Sequence, residues 1–202
     1  MAKTQPAKTT AQEIILPALN IKHITIRLVG DSPLICHAWS TKAKQEMLDK
    51  QMKKAKQAKE AKDPERCFRD SLYPMPDGNG YGFPAVAFKS AAVDACSHID
   101  GVTKVEARGA FHISGDMIRI EGEEPTPRED MVRIAMGTSD IRYRGQFLNW
   151  AVNLSIRYNA SVLTAEQICN LFNVAGFAIG VGEWRPQKDG SFGMFHVAGE
   201  GE

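Results

Sequence analysis

The 202-residue sequence has almost no net charge, because 25 Lys and Arg residues oppose 24 Asp and Glu residues. A uniformly basic nucleic-acid-binding protein is thereby excluded, and any binding to phosphates must depend on local patches. No run of 18 apolar residues is present, which argues against a membrane-spanning helix. Since the start of the sequence also has no signal-peptide pattern, we predict a soluble, cytoplasmic protein without membrane contacts.

Sequence motifs for metal, nucleotide and redox chemistry are also missing. The four cysteines are widely spaced without a C-x-x-C pair, and the five histidines form no H-E-x-x-H motif. Neither a Walker-type phosphate loop nor a dinucleotide-binding fingerprint occurs. The acidic stretch at 121–130 contains two prolines and is predicted to be a solvated surface loop. These patterns predict buried free thiols, no metal site and no cofactor.

Catalysis has weak support in the sequence. Among the histidines, His37 follows a strand and could act as a general acid-base, but its spacing marks no serine, cysteine or carboxylate partner. His23 and His196 alternate along predicted strands, which is typical of structural histidines. We therefore predict a protein that is not an enzyme.

The helix with the strongest sequence signals begins after Thr164. Thr164 and Gln167 have the spacing of a capping box, and apolar residues recur from Ile168 at i, i+3, i+4 and i+7. Gly176 is predicted to end this helix, because glycine tolerates the left-handed conformation of a helix stop.

A glycine-rich loop follows this helix at 180–193 and leads into a strand at 194–197. A flexible backbone that carries cations and aromatic rings suits a phosphate chain with stacked bases. The residues of this loop that we predict to bind nucleic acid are Trp184, Arg185, Lys188 and Phe192.

Four arginines within seventeen residues precede the last strands, interleaved with aromatic rings. If the segment around Tyr143 is extended, its two flanking arginines point to the same side. Arginine can clamp phosphates and stack on bases, although local ion pairs such as one with Asp140 would also explain these residues. The predicted nucleic-acid contacts of this segment are Arg128, Arg133, Arg142, Tyr143 and Arg144.

The order of predicted elements gives the fold class. Alternating residues predict strands at 20–29 and 150–158, and helical spacing predicts a helix within 83–101. Two short strands at 110–113 and 117–121 are predicted to form a hairpin. Without insertions the order is βαββαβ, an α+β, ferredoxin-like and RRM-like core with a β-hairpin extension and two helices on one sheet face.

A lysine-rich segment is inserted into this core. Residues 40–62 favour a helix, but the apolar stripe of Met47, Leu48, Met52 and Ala55 is thin, so we expect a helix that projects from the domain or lies loosely on it. Its lysines would be a solvated face or, alternatively, a contact with nucleic acid or a partner. Asp63-Pro64 is predicted to end it. The predicted organisation is a flexible arm at 1–19 and a single domain at 20–202 with a helical insertion at about 40–72.

Two segments resemble the RAMP superfamily, which includes backbone and processing subunits of CRISPR effector complexes. The glycine-rich loop is similar to that superfamily's glycine-rich segment. Gly82-Phe83-Pro84 through Ser90 resembles its entry into the first helix, and this likeness implies a nucleic-acid-binding role for Lys89. The chain as a whole also resembles uncharacterised tailed-phage proteins that share the GVGEWRP and SFG pieces.

The sequence therefore predicts a phage or mobile-element protein that binds single-stranded RNA or DNA without catalysis. The resemblance implies a homo-oligomer along the strand, or a subunit of a larger assembly. Two alternatives stay open: a RAMP-type endoribonuclease with His37 as acid-base, and a phage structural or assembly protein without a nucleic-acid role.

Overall fold

The computed structural model describes residues 18–54, 61–133, 137, 139–199 and 201. The predicted arm lies almost entirely outside these ranges, as does part of the predicted lysine-rich helix. The division into an arm and a single domain therefore stays a prediction. Within the described ranges the helices are α1 (Thr41–Gln51), α2 (Pro64–Asp70), α3 (Ala85–Ala95), α4 (Lys104–Ala110) and α5 (Ala165–Ala178).

The strands are short, apart from four of eight to ten residues. They are β1 (Ile21–Gly30), β2 (Leu34–Cys36), β3 (Gly82–Pro84), β4 (Phe111–Ile113), β5 (Met117–Gly122), β6 (Thr126–Arg133), β7 (Ser139–Phe147), β8 (Trp150–Asn159) and β9 (Phe195–Val197).

The main sheet is antiparallel and is arranged around β8. Its order is β3-β5-β8-β1-β9, and β4 also pairs with β8. Leu154 and Ile156 of β8 are buried and lie opposite Ile26 and Ile24 of β1, so alternate residues form one apolar face. Helices α3 and α5 pack against each other and share a core with this face. The fold is α+β, and the order β1, α3, β4/β5, β8, α5, β9 is consistent with the predicted ferredoxin-like core.

A second sheet of three antiparallel strands has the order β2-β7-β6. Helix α2 lies close to β7 because Gly145 has no side chain, and a Cβ there would be 2.3 Å from a methyl carbon of Leu72. The Gly145 N–H donates to the Ser71 hydroxyl at 2.7 Å. The insertion is thereby fixed to the hairpin of β6 and β7, which carries the predicted arginines.

The predicted hairpin between β4 and β5 is wrong. Phe111 of β4 lies opposite Tyr158, and Ile120 of β5 lies opposite Val152, so both strands pair with the same edge of β8. The Ser114 N–H donates to the Ser155 carbonyl at 2.8 Å and keeps the intervening loop beside β8. The two strands are consecutive segments of one sheet edge.

The predicted acidic loop at 121–130 is also wrong over much of its length. Residues from Thr126 onward belong to β6, which pairs with β7 as the hairpin of the second sheet. Pro127 is compatible with this strand because β6 is the outer strand of its sheet, where one N–H group needs no partner.

Three predicted helix ends differ from the structure. The dipeptide Asp63-Pro64 begins α2, since the Asp63 carboxylate accepts from the Arg66 N–H at 3.1 Å and proline suits the first helical position. Gly176 lies inside α5, where a Cβ would be 1.7 Å from the Phe195 carbonyl oxygen. Gly180, with φ +68°, takes the left-handed conformation after that helix. Helix α3 ends at Ala95, before the predicted stop at 100–101.

The sequence prediction does not include helix α4, although the start of this helix has a recognisable signal. The Thr103 hydroxyl accepts from the Glu106 N–H at 3.2 Å, and the Glu106 carboxylate accepts from the Thr103 N–H at 2.8 Å. This reciprocal capping box is readable as T-x-x-E in the sequence.

Candidate nucleic-acid interface

The glycine-rich loop at 180–193 is held by its own backbone hydrogen bonds. The Val181 N–H donates to the Gly193 carbonyl at 2.9 Å, and the Phe192 N–H donates to the Trp184 carbonyl at 3.0 Å. At Gly190 a Cβ would lie 1.7 Å from the Trp184 oxygen, so only glycine permits this closure. The expected flexible backbone is instead a hydrogen-bonded platform.

The loop is also attached to strand β2 and to the residue before it. The Glu183 N–H donates to the Ile35 carbonyl at 3.1 Å, and the Gly193 N–H donates to the Pro33 carbonyl at 2.9 Å. Strand β2, which contains Ile35, pairs in turn with β7. The loop and the arginine hairpin, distant in sequence, are therefore brought together by β2.

Trp184 is the exposed ring of this loop. Its φ of 55° is unusual for a bulky side chain, and 41% of its surface is accessible. Residues held in such conformations by surrounding structure cluster at functional sites. An exposed indole on a hydrogen-bonded platform can stack a base without a large loss of side-chain freedom.

Phe192 and Arg128 join the loop to the hairpin. The Arg128 guanidinium carbon lies 4.6 Å from the centre of the Phe192 ring, a cation–π contact between residues predicted separately. Its Nε also donates to the Asp130 carboxylate at 2.8 Å. The Phe192 N–H also donates to the Trp184 carbonyl, so successive contacts link Arg128, Phe192 and Trp184, and we call these three residues the loop–hairpin surface.

Arg144 is buried between the hairpin and the loop, with 5% of its surface exposed. Its guanidinium lies 3.3 Å from the Asp130 carboxylate and 3.5 Å from that of Glu183. This position speaks against direct contact with a strand and gives Arg144 the role of joining the two elements.

The other predicted cations differ in their exposure and in their contacts within the protein. Arg185 donates to the Gly182 carbonyl at 2.9 Å and to Gln187, so it braces the loop. The Nε of Arg142 lies 3.0 Å from the Asp140 carboxylate, which agrees with the alternative of a local ion pair, although its direction is too poor for a hydrogen bond. Lys188 and Arg133 are exposed.

Tyr143 and Lys89 lie apart from this surface. Tyr143 alternates with Arg142 and Arg144 along β7 and so belongs to the other face of the hairpin. Lys89 is on α3, where its ammonium donates to the Arg108 carbonyl at 3.1 Å and lies 3.0 Å from His112 Nδ1. The contacts of Lys89 are thus with α4 and β4.

His37 has a carboxylate partner that the sequence did not reveal. Its Nδ1 lies 3.4 Å from Oε1 of Glu183, which is 146 residues away in the chain. The hydrogen bond from His37, followed by the charges of Arg144 and Arg185, lowers the pKa of Glu183 against the opposing effect of burial. Only the folded chain brings the pair together, so no local spacing could have indicated it.

The His37–Glu183 pair borders a cavity of about 320 Å³ between α3 and the glycine-rich loop. Tyr73, which donates to the His37 carbonyl at 3.4 Å, and Asp94 also line this cavity. Asp94 accepts from Lys104 at 2.8 Å and from Gln187 at 2.9 Å. The cavity combines an acid-base pair with polar walls beside the loop–hairpin surface.

Within the described part of the chain, no group of histidine, cysteine and carboxylate side chains is arranged to hold a metal ion. The four cysteines are free thiols, and burial raises the pKa of Cys36 to about 12. None of the described helices is long and apolar enough to cross a membrane.

Comparison with known proteins gives matches among solved structures only. No protein-family model and no curated protein matches the sequence. The chain is similar to the crystal structure of Cmr6 from Pyrococcus furiosus, with a TM-score of 0.47 and 10% identity over 90% of this chain and 100% of that chain. At this level of similarity we draw no functional argument from it, and the phage resemblance has no support.

Proposed function

We propose that this protein binds single-stranded RNA or DNA on the loop–hairpin surface, without cleaving it. The observation that carries the proposal is the link between Trp184, Phe192 and Arg128: the exposed Trp184 is hydrogen-bonded through its backbone to Phe192, whose ring contacts the Arg128 guanidinium. Stacking on aromatic rings accepts any base, because every base has a π-face. The binding is therefore expected to depend little on sequence.

The charges of this surface fit a strand bound mainly through stacking. Arg128 and Arg144 share Asp130, whereas Lys188 and Arg133 are exposed at the surface. Because few of these cations lack a carboxylate partner, contacts with phosphates should make only a modest contribution to the binding free energy. This agrees with a chain whose formal net charge is only +1.

The salt dependence of binding tests whether the exposed Arg133 and Lys188 contact phosphates. Replacing both Arg133 and Lys188 with Gln should flatten the slope of log K against log salt by about 1.4, since each phosphate contact on a single strand contributes roughly 0.7. Fluorescence anisotropy of a labelled 20-mer at four salt concentrations measures this slope. Lys42 and Lys50 on α1, replaced together with Gln, provide a control of equal charge. An unchanged slope in the first variant would contradict these contacts.

Assembly into a multimer or a larger complex belongs to the same proposal. Helix α1 has no buried residue, and Met47, Leu48 and Met52 are exposed on it. A projecting helix with apolar side chains suits contact with a neighbouring subunit along a strand. The mass of the protein in solution, with and without a bound oligonucleotide, tests this, and a monomer in both cases would exclude it.

A ribonuclease is the second candidate, favoured specifically by the His37–Glu183 pair. A histidine oriented by a carboxylate can exchange a proton with a ribose hydroxyl or a leaving oxygen. Incubation of labelled single-stranded RNA with the wild type and with His37→Ala distinguishes the two functions. Cleavage by the wild type that is lost in the variant would favour the ribonuclease, whereas intact RNA with both proteins supports binding alone.

A further inference from the structure

A separate group of cationic and imidazole side chains lies on the open face of the main sheet. Arg157 of β8 lies opposite His23 of β1 on one side and His112 of β4 on the other. Residues opposite each other in an antiparallel sheet share a face. All three are exposed, so they form a row across three strands on the face opposite the shared core.

Lys89 reaches the end of this row. Its ammonium lies 3.0 Å from Nδ1 of His112 and also donates to the Arg108 carbonyl at 3.1 Å. A protonated lysine has donors only, so Nδ1 must accept, and the proton of the neutral imidazole is then on Nε2. Burial, followed by the charges of Lys89 and Arg157, lowers the pKa of His112, which agrees with a neutral ring.

No described carboxylate neutralises this cluster. Neither Lys89 nor Arg157 forms an ion pair with an acidic residue in the described part of the chain. By contrast, Arg27 on the same sheet face is paired with Glu121 at 2.5 Å. Cations left without counter-charges attract anions.

The cluster borders a depression of about 250 Å³. His112 and Arg157 line it together with Asn159 and the apolar side chains of Leu19 and Ile21, and no lining residue is acidic. Nitrogen donors and exposed apolar carbons in one depression match a molecule that joins a phosphate to an apolar ring face.

We propose that Lys89, His112 and Arg157 form a phosphate-binding site for a nucleotide, either free or within a strand. The Arg157 guanidinium offers a planar pair of donors to two phosphate oxygens, and the His112 Nε2–H and the remaining lysine donor add two more. Leu19 and Ile21 lie where the sugar or base would pack. The site is on the open sheet face, so it does not depend on the loop–hairpin surface.

The test follows the imidazole signals of His112 by NMR while inorganic phosphate replaces chloride at constant ionic strength and pH. The proposal predicts a saturable shift of the His112 ring in the wild type. Arg157→Gln should raise the dissociation constant about tenfold or more, since a charge-assisted hydrogen-bond pair is lost. Arg157→Lys keeps the positive charge but lacks the planar guanidinium, so its dissociation constant should lie between those of the wild type and Arg157→Gln.

The control is Lys50→Gln on α1, which removes one positive charge outside the cluster and should leave the dissociation constant unchanged. The backbone amide spectrum of each variant verifies its fold. A linear shift without saturation, or equal affinities for the wild type and Arg157→Gln, would overturn the site.

Two further ligands identify the source of the phosphate. The site holds a strand if a short single-stranded oligonucleotide shifts the ring signals of His112 at lower concentrations than adenosine monophosphate does. Arg157→Gln should then weaken the binding of that oligonucleotide. If adenosine monophosphate binds at least as tightly, the site holds a free nucleotide. Titrations of Trp184→Ala separate this site from the loop–hairpin surface. The His112 shift caused by inorganic phosphate should persist in that variant, even if the variant binds the oligonucleotide more weakly.

Discussion

Arg144 and Arg142 lie two residues apart on one face of β7, yet their surroundings differ. Arg144 is enclosed by Asp130 and Glu183, whereas Arg142 is partly exposed beside Asp140. The sequence alone predicts that both point to the same side, which the strand confirms. It cannot predict burial, because the glycine-rich loop that covers Arg144 comes from a distant part of the chain.

The two arginines should therefore differ in their effect on stability. Arg144→Ala removes a buried partner of two carboxylates and should lower the free energy of unfolding by about 3 kcal/mol. Arg142→Ala, the matched control, should change it by less than about 1 kcal/mol because exposed ion pairs contribute little. Chemical denaturation measures both variants, and equal losses would contradict the assigned roles.

Glu183 links stability to pH. Its pKa is lowered chiefly by the hydrogen bond from His37, so its stabilising effect is complete above the ordinary value of 4.5 and is lost as pH falls through the lowered pKa. Glu183→Gln should accordingly melt below the wild type at pH 7, with a difference that narrows as the pH falls below 4.5. Thermal melts across this range measure it, and a gap that stays constant would show that the charge of Glu183 is unimportant.

At the scale of elements, local sequence signals predicted some helices and strands well and others poorly. Helix α5, with its capping box of Thr164 and Gln167, and strands β1 and β8 are confirmed. The sequence predicts a loop where β6 lies, because the acidic residues and proline of β6 have low strand propensity; in the structure, pairing with β7 outweighs that preference. The stop at Gly176 was misplaced because the close approach of Phe195 also requires a glycine.

Helix α1 should contribute little to stability, as its thin apolar stripe predicted. The chain offers a matched pair of helical leucines: Leu48 of α1 is 47% exposed, whereas Leu171 of α5 is 2% exposed. Leu48→Ala should change the free energy of unfolding by less than about 0.5 kcal/mol. Leu171→Ala should cost roughly 2–5 kcal/mol because it leaves a cavity in the core.

Urea denaturation of both leucine variants gives these values. A loss for Leu48→Ala that approaches the loss for Leu171→Ala would mean that α1 packs against another part of the protein in solution. Such a result, if it disappears on dilution, would identify a second copy of the chain as the packing partner.

At the scale of the whole molecule, the candidate surface is assembled from segments that the sequence keeps apart. Arg128 comes from the hairpin, Trp184 and Phe192 come from the C-terminal loop, and β2 connects the two. Composition and local spacing identified these residues singly. Their contact, like the pairing of His37 with Glu183, depends on long-range sheet order, which short-range patterns do not contain.

The measurement that tests the loop–hairpin surface most directly is the affinity of Trp184→Ala for a labelled single-stranded 20-mer. Trp39→Ala is the matched control, because Trp39 is also exposed, at 61%, but lies outside the loop. Stacking is worth ~1–3 kcal/mol per base, so Trp184→Ala should weaken binding about five- to a hundred-fold while its melting temperature stays close to that of the wild type. Trp39→Ala should bind as the wild type does. Equal affinity of Trp184→Ala and the wild type, or equal losses in both variants, would contradict the proposed surface.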